Sequence, residues 1–237
     1  MSQVVEMAPS LQSRLADFPR VQASSSGTTQ VLVNERPILK LRDRERAEVI
    51  ADQIGLMLVL NPELNADQIR PALVADVPVV RFRERVLFTI DRKLAAAQKR
   101  NSVSLLQDSL NRLRTALGER PLSMVEVQAD LYNLKATRQR LKGLASWYGP
   151  RFNGRPTASG ETFEQREFTA AHPTLPFNTF LQVTNRHTGS SVIVRVNDRG
   201  PYVKPRMLDL SRAAAYALGS THPGVVPVEA VVMKPGS

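Results

Sequence analysis

The sequence changes character at Gly143, and this change sets the strongest limit on the possible fold. From Gly143 onward, glycine and proline become frequent and β-branched residues cluster. The segment contains one helix-like run, Ser211–Leu218, and three strand-like runs at Phe180–Thr184, Ser191–Val196 and Val225–Met233. Short strands separated by turn residues are typical of barrels. Residues 143–237 are therefore predicted to form an all-β barrel with one small helix.

Two similar segments precede the barrel region. Val31–Leu41 and Val80–Ile90 each alternate apolar and polar residues on both sides of a central reversal, which predicts two β-hairpins. A helical pattern follows each hairpin, with Asp43 and Ser102 as predicted N-caps. Internal duplication and coincidence are both open explanations of the similarity. We expect residues 1–29 to be a flexible segment and residues 30–118 to form a small α+β domain of two hairpin–helix units.

A connecting helix is predicted between this domain and the barrel. Ser123 and Glu126 have the spacing of a capping box. Apolar residues then recur at helical spacing, at Val127, Leu131, Leu134 and Leu141. The predicted helix covers residues 119–142. The complete fold prediction is an α+β N-terminal region with a connecting helix, followed by an all-β barrel.

Composition and charge narrow the function classes. No run approaches eighteen apolar residues, which excludes a transmembrane helix. The chain has no cysteine, which excludes a thiolate metal site, a cysteine nucleophile and a lipid-modified cysteine anchor. The net charge is +10, with 22 Lys and Arg against 16 Asp and Glu in residues 1–143, and 10 against 6 in residues 144–237. Both parts would attract polyanions, whether nucleic acid, anionic lipid or wall polymer.

Three titratable residues of the barrel region are candidates for chemistry. Asp198 ends a strand-like run, so it is either a turn aspartate or a carboxylate fixed at a rigid strand end. Glu161 follows the small residues Thr157–Gly160 and is either solvated or open to a close ligand. His172 is either a buried structural group or a catalyst. The three histidines of the chain match no zinc-ligand spacing, so no metal site is predicted.

Seven motifs, in order over about 94 residues, resemble the RlpA family, the rare lipoprotein A group of double-psi β-barrels. They are Gly143–Gly149, Phe152–Gly154, Thr157–Glu161, Phe168–Pro176, Val183–Asn185, Val194–Pro201 and Leu208–Ala214 with the following Leu218-Gly219. The resemblance covers residues 143–235, and no residue of 1–142 was matched to it. The sequence departs from the usual family pattern at Asn153, commonly histidine, and at Ser159, commonly asparagine.

The resemblance implies a six-stranded double-psi β-barrel that acts as an endolytic peptidoglycan lytic transglycosylase. Such an enzyme cleaves the glycan between MurNAc and GlcNAc, forms 1,6-anhydro-MurNAc, and prefers peptide-poor strands. No metal or organic cofactor is implied. The substrate implies a periplasmic or cell-envelope location without a lipid anchor, although Met1–Ser10 has no secretory-signal pattern.

The resemblance also assigns site residues. The functional acid, histidine and aspartate of the family correspond to Glu161, His172 and Asp198. One carboxyl group can serve as general acid and then as general base, and we favour Asp198, with the reverse assignment to Glu161 left open. Expected substrate contacts are Tyr148, Asn185, Arg199 and Tyr202.

Two other function classes remain to be separated from catalysis. One is a non-catalytic, expansin-like module that binds cell-wall glycan. The other is nucleic-acid binding through Arg81, Arg83 and Arg85, whose alternate spacing puts them on one face of a strand. This is the weakest of the interpretations, because a charged strand face is commonly just exposed to solvent. The N-terminal domain could dock wall-associated or divisome proteins.

Overall fold

The computed structural model describes residues 19–23 and 27–236. The described residues divide into two compact units. The first contains the residues up to Ile90 together with Leu106–Pro121, and the second contains Asp91–Leu105 together with the residues from Leu122. The predicted boundary near residue 118 therefore differs from the structure, because residues 91–105 pack with the barrel.

The first unit holds two three-stranded antiparallel sheets. Their strands are β1 (Arg20–Ala23), β2 (Thr29–Val33) and β3 (Arg36–Leu41) in one sheet, and β4 (Ile69–Val74), β5 (Val77–Phe82) and β6 (Arg85–Thr89) in the other. Both predicted hairpins are present, as β2–β3 and β5–β6. Arg20–Ala23 pairs with β2, and Thr29 is the first residue of β2, so five residues of the segment predicted to be flexible lie in strands. Residues 1–18 and 24–26 lie outside the described residues.

Both helices that were predicted to follow the hairpins are present. Helix α1 (Arg44–Leu60) begins after Asp43, whose side chain accepts a hydrogen bond from the Arg46 backbone N–H. The second unit contributes α2 (Arg92–Ala97) and the first turn of α3 (Ser102–Ala116). The predicted cap at Ser102 is wrong by one residue. Asn101 caps α3, because its Oδ1 accepts from the backbone N–H groups of Val103 at 2.7 Å and Ser104 at 3.1 Å.

The second unit is built around a closed six-stranded barrel, with strand order β10-β8-β11-β7-β12-β9. The strands are β7 (Leu134–Trp147), β8 (Thr169–Ala171), β9 (Phe180–Asn185), β10 (Ser191–Asp198), β11 (Arg206–Leu210) and β12 (Val226–Pro235). Two pairs, β10–β8 and β11–β7, are parallel. Helix α5 (Arg212–Ala217) follows β11. The predicted double-psi barrel with one small helix is confirmed.

The connecting helix is much shorter than predicted. Helix α4 covers only Met124–Leu131, with the predicted capping box of Ser123 and Glu126. Asn133 then takes a left-handed backbone conformation, with φ of 48°, and β7 begins at Leu134. The helical spacing of later leucines was misleading, because β7 pairs along most of its length with β12, about ninety residues further along the chain.

Helix α4 is attached to the barrel through Gln128. The Gln128 Nε2 donates to the Ile193 carbonyl at 2.7 Å, and the Ile193 N–H donates to Gln128 Oε1 at 2.7 Å. Strand β8 pairs with β10 only from Arg195 onward, so the amide occupies the edge of β10 where no strand reaches. Tyr132 also stacks on Phe180 with ring centroids 5.2 Å apart. This helix is part of the barrel unit.

Candidate functional site

Asp198 lies at the end of β10, next to a β-bulge. The pairing of β10 with β8 shifts register between Val196 and Asp198, and such bulges redirect the side chains that follow them. The half-buried Asp198 carboxylate accepts three hydrogen bonds. Its Oδ1 accepts from the backbone N–H groups of Ala158 and Arg199, both at 2.8 Å, and its Oδ2 accepts from the Tyr148 hydroxyl at 2.7 Å. The carboxylate is therefore fixed in position.

Tyr148 is a neutral hydrogen-bond donor to Asp198. The residue follows β7, and its ring packs between Phe152 and Phe163, with centroids 5.5 Å and 4.8 Å away. Burial, followed by the hydrogen bond to Asp198, raises the pKa of the Tyr148 hydroxyl far above its usual value of 10.0. The hydroxyl thus keeps its proton at physiological pH.

The TASGE loop (Thr157–Glu161) covers the end of β10. Its Ser159 N–H donates to the Asn197 carbonyl at 3.3 Å, and its Thr157 N–H donates to the Glu161 carbonyl at 2.7 Å. Gly160 has a φ of +88°, a conformation that favours glycine. The loop thereby delivers the Ala158 N–H to Asp198. Ser159 uses its hydroxyl for a 3.0 Å contact with the Thr157 hydroxyl.

Glu161 forms a bidentate ion pair with Arg195. The two carboxylate oxygens lie 2.6 Å and 2.7 Å from the guanidinium nitrogens, and Asn197 Nδ2 donates to Oε2 at 3.1 Å. Hydrogen bonding to Arg195 lowers the pKa of the Glu161 carboxyl below its usual range. Glu161 is therefore ionised near neutral pH, and its charge is balanced by Arg195.

His172 is buried with its Nδ1 as an acceptor. This nitrogen accepts from the backbone N–H groups of Thr174 at 3.2 Å and Leu175 at 3.0 Å. The His172 backbone N–H donates to the Asp198 carbonyl at 3.2 Å. Burial, and secondarily the charge of Arg199, lower the pKa of the imidazole. The neutral ring carries its proton on Nε2, which is the nitrogen that remains able to donate.

The depressed imidazole pKa predicts a pH-dependent stability. Because the unfolded chain binds this proton more readily, the His172 contribution is complete above the ordinary pKa of 6.5 and is lost as pH falls below it. We expect the unfolding free energy, measured by urea titration, to decline between pH 7.5 and pH 5.5, and H172Q to make this decline shallower. The matched control H187Q changes an exposed histidine and should leave the decline unchanged; equal slopes in both variants would contradict the prediction.

Of the expected substrate contacts, Arg199 and Tyr202 follow Asp198 closely in the chain, whereas Asn185 lies far from it. Arg199 donates to the carbonyls of Leu175 at 2.9 Å and His172 at 3.3 Å, and so fixes the segment that follows β8. Tyr202 is 81% exposed, four residues after Asp198. Asn185 lies at the opposite end of the β9–β10 pair. It is buried, and its amide bonds the Leu218 carbonyl and the His187 N–H, so the structure does not bring Asn185 to Asp198.

The side chains of Asp198 and Tyr148 are in direct contact, His172 reaches Asp198 through a backbone hydrogen bond, and Glu161 contacts Asn197, the residue before Asp198. Sequence reasoning missed Arg195 and Asn197, which lie two residues apart on β10 and both contact Glu161. A charged Arg195 among the valines of a strand was the available signal, since a partly buried guanidinium needs an acidic partner. Asn153, the position of a common family histidine, accepts from the Gln165 N–H at 2.9 Å.

The described residues contain no group of three or more His, Cys, Asp or Glu side chains arranged to hold a metal ion. Within residues 19–23 and 27–236, no helix has the length and apolar character needed to cross a bilayer.

The barrel region is similar in sequence to a known protein family. Residues 140–230 match the family model described as "Lytic transglycolase". The resemblance of the barrel to the RlpA family is confirmed. The "Endolytic peptidoglycan transglycosylase RlpA" of Campylobacter jejuni is 49% identical over 102 residues, covering 43% of this chain and 37% of the relative. The "Probable endolytic peptidoglycan transglycosylase RlpA" of Synechocystis sp. is 44% identical over 156 residues, covering 62% of this chain and 48% of the relative.

The extent of these matches has two consequences. The chain spans about half the length, or less, of these curated RlpA relatives. The match to the Synechocystis relative also includes residues that precede the RlpA-like barrel, because the residues from 140 onward make up only about two fifths of the chain.

Among solved structures, the Clavibacter michiganensis expansin is 24% identical, with a TM-score of 0.34, covering 42% of this chain and 52% of that chain.

Proposed function

We propose that the protein is an endolytic peptidoglycan lytic transglycosylase that cleaves between MurNAc and GlcNAc and leaves 1,6-anhydro-MurNAc. The sequence match of the barrel to this family supports the proposal. The observation that carries it is the asymmetric fixing of Asp198, in which Oδ1 accepts from two backbone N–H groups and Oδ2 accepts, among the described residues, only from the Tyr148 hydroxyl. This arrangement suits a single carboxyl group that must release and recover one proton.

A single carboxyl group is sufficient for this reaction. Hydrolysis of a glycoside usually needs two, one to protonate the leaving oxygen and one to activate water or attack the sugar. In the lytic reaction the nucleophile is the 6-hydroxyl of the same muramoyl residue. A well-aligned intramolecular nucleophile has an effective concentration on the order of 10⁵ M or more. No second carboxylate is then needed to activate water.

Oδ2 of Asp198 is the oxygen that carries the proton. A proton on Oδ1 would face the two N–H donors of Ala158 and Arg199 and would cost one of these hydrogen bonds. Protonated Oδ2 donates to the bridging oxygen as the C1–O bond breaks, which releases the GlcNAc hydroxyl and leaves an oxocarbenium-like muramoyl ring. The 6-oxygen then bonds to C1, and its proton returns to Oδ2.

Glu161 and His172 act as positioning and stabilising residues in this proposal. The ionised Glu161 fixes the TASGE loop against Arg195 and Asn197, and the loop supplies the Ala158 N–H to Asp198. Because the Glu161 pKa is lowered, Glu161 is unsuited to donate a proton near neutral pH. The neutral His172 has its Nε2 proton available for a sugar oxygen.

The test uses peptide-free glycan strands incubated with the purified protein. The expected product is a set of shorter strands ending in 1,6-anhydro-muramic acid, 18 Da lighter than hydrolysed ends and resolved by mass spectrometry. Ordinary reducing ends would indicate a hydrolase, and binding without cleavage would indicate a glycan-binding module. Either result would contradict the proposal.

We further propose a cell-envelope location, because peptidoglycan lies outside the cytoplasmic membrane, and a preference for peptide-poor strands. The first compact unit would then contact wall-associated or divisome proteins. Fractionation of cells tests the location, and cross-linking of the full chain tests the contacts of the first unit. Recovery only from the cytoplasmic fraction would contradict the location.

A further inference from the structure

A cleft of about 610 Å³ lies within the second unit, between α2 and the barrel. One wall comes from α2 and the residues that follow it, including Arg92, Arg100 and Asn101. The opposite wall carries Glu161, Arg195 and Asn197. We call it the α2 cleft. Asp198, Tyr148 and His172 do not line it, so it is separate from the carboxylate site but adjoins that site through the neighbouring residues Asn197 and Asp198.

The α2 wall is fixed to the barrel by Asn101, which is 7% exposed. While its Oδ1 caps α3, its Nδ2 donates to the Arg166 carbonyl at 2.7 Å, in the segment that leads into β8. A buried amide with both ends bonded holds its surroundings in one geometry. The wall therefore has a defined position, although its residues precede the segment matched by the family model.

The lining of the α2 cleft suits a sugar that carries a carboxylate. Its apolar part includes the stacked rings of Tyr132 and Phe180, and apolar surfaces with a few directed polar groups are typical of ligand sites. Three glutamates line the cleft: Glu161 pairs with Arg195, Glu164 pairs with Arg166, and Glu167 accepts from Asn101 Nδ2 at 3.4 Å. Arg92 is exposed at the cleft and makes no ion pair within the part of the chain that the structure describes. The lining holds four arginines against three glutamates, so it keeps a surplus positive charge beside its apolar surface, and Arg92 is an arginine exposed to a ligand there.

We propose that the α2 cleft is an additional glycan subsite, in which Arg92 binds the lactyl carboxylate of a muramoyl residue beyond the one that is cleaved. This inference rests on the proposed function, which makes a glycan strand the ligand. Every second sugar of a peptide-free strand carries this carboxylate, whereas a stem peptide converts it to an amide. Arg92 is thus a specificity-determining residue for strands long enough to reach the cleft.

Binding to full-length protein carrying D198N tests the subsite without turnover. Peptide-free strands of four disaccharides and of one disaccharide are titrated by calorimetry into the D198N protein and into D198N protein that also carries R92A or K93A. Lys93 lies on the same helix as Arg92 but does not line the cleft, so K93A is the matched control. We expect R92A to raise Kd for the longer strand about five- to tenfold, and to leave Kd for the single disaccharide unchanged. R92E should weaken binding of the longer strand further, and K93A should change neither value.

The binding result is independent of the cleavage assay. If the unaltered protein forms anhydro ends but R92A and K93A bind the long strand equally, the subsite is overturned and the proposed function stands. If R92A alone weakens binding but no anhydro ends form, the subsite is supported and the proposed lytic activity fails. Equal weakening of long and short strands by R92A would also overturn the subsite, because the contact would then not lie beyond the cleaved residue.

Discussion

D198N is expected to lower the rate of anhydro-muramoyl product formation by at least about 10³-fold. Asp198 both donates and recovers the proton in the proposed mechanism, so its amide cannot perform either step. The fixed geometry is retained, because the amide oxygen can still accept from the Ala158 and Arg199 N–H groups that hold Oδ1. The measurement is the initial rate of anhydro-end formation on peptide-free strands, together with glycan affinity.

The control for D198N is E229Q, a change from carboxylate to amide on β12 of the same barrel. Glu229 pairs with Arg140 and Lys142 on adjacent β7, and has no contact with Asp198 or with the TASGE loop. E229Q should keep close to full activity. If D198N retained more than about a tenth of the activity, another group would have to carry the proton and the assignment would be wrong.

Local sequence patterns predicted the strands and helices whose signal lies within a few consecutive residues. The strand-like run Ser191–Val196 lies on β10, and the Ser123 and Glu126 capping box starts α4 as expected. The hairpin at Val31–Leu41 and the helix after Asp43 are likewise local features. In each case the periodicity or the cap is contained within a few residues, so one sequence is enough to recognise it.

The predictions that failed depended on distant partners. Leu134 and Leu141 have helical spacing but lie on β7, because pairing with β12 outweighs the local pattern. Likewise, no pattern in α2 indicates that it packs with the barrel, since the contact is made through Asn101 and the segment before β8. Tertiary contacts of this kind are absent from any short window of sequence.

The candidate site shows the same division. The family motifs identified Glu161, His172 and Asp198, but could not say which carboxyl group carries the proton. The assignment that we propose rests on the partners of the two groups, since Glu161 pairs with Arg195 whereas Asp198 Oδ2 receives, among the described residues, only the Tyr148 hydroxyl. Asn185 stays an expected substrate contact that the structure does not bring to Asp198. Its motif is real, but the amide is used inside the fold.

E161Q is expected to reduce the rate about 10- to 100-fold, clearly less than D198N. The substitution removes the ion pair with Arg195 and loosens the TASGE loop, so Asp198 keeps its chemistry but loses part of its alignment. Initial rates on peptide-free strands should show the loss in kcat, with little change in KM. A reduction as large as that of D198N would instead assign the proton to Glu161.

A double-mutant cycle separates positioning from proton transfer at Glu161. If Glu161 acts through Arg195, then R195M should reduce the rate by about as much as E161Q, and the double variant should lose little more than either single variant, because both remove the same ion pair. If Glu161 were the proton donor, R195M would be much milder than E161Q, because removing Arg195 would leave the donating carboxyl group in place. Additive losses from E161Q and R195M would contradict the positioning role, because they would show that the two side chains contribute independently.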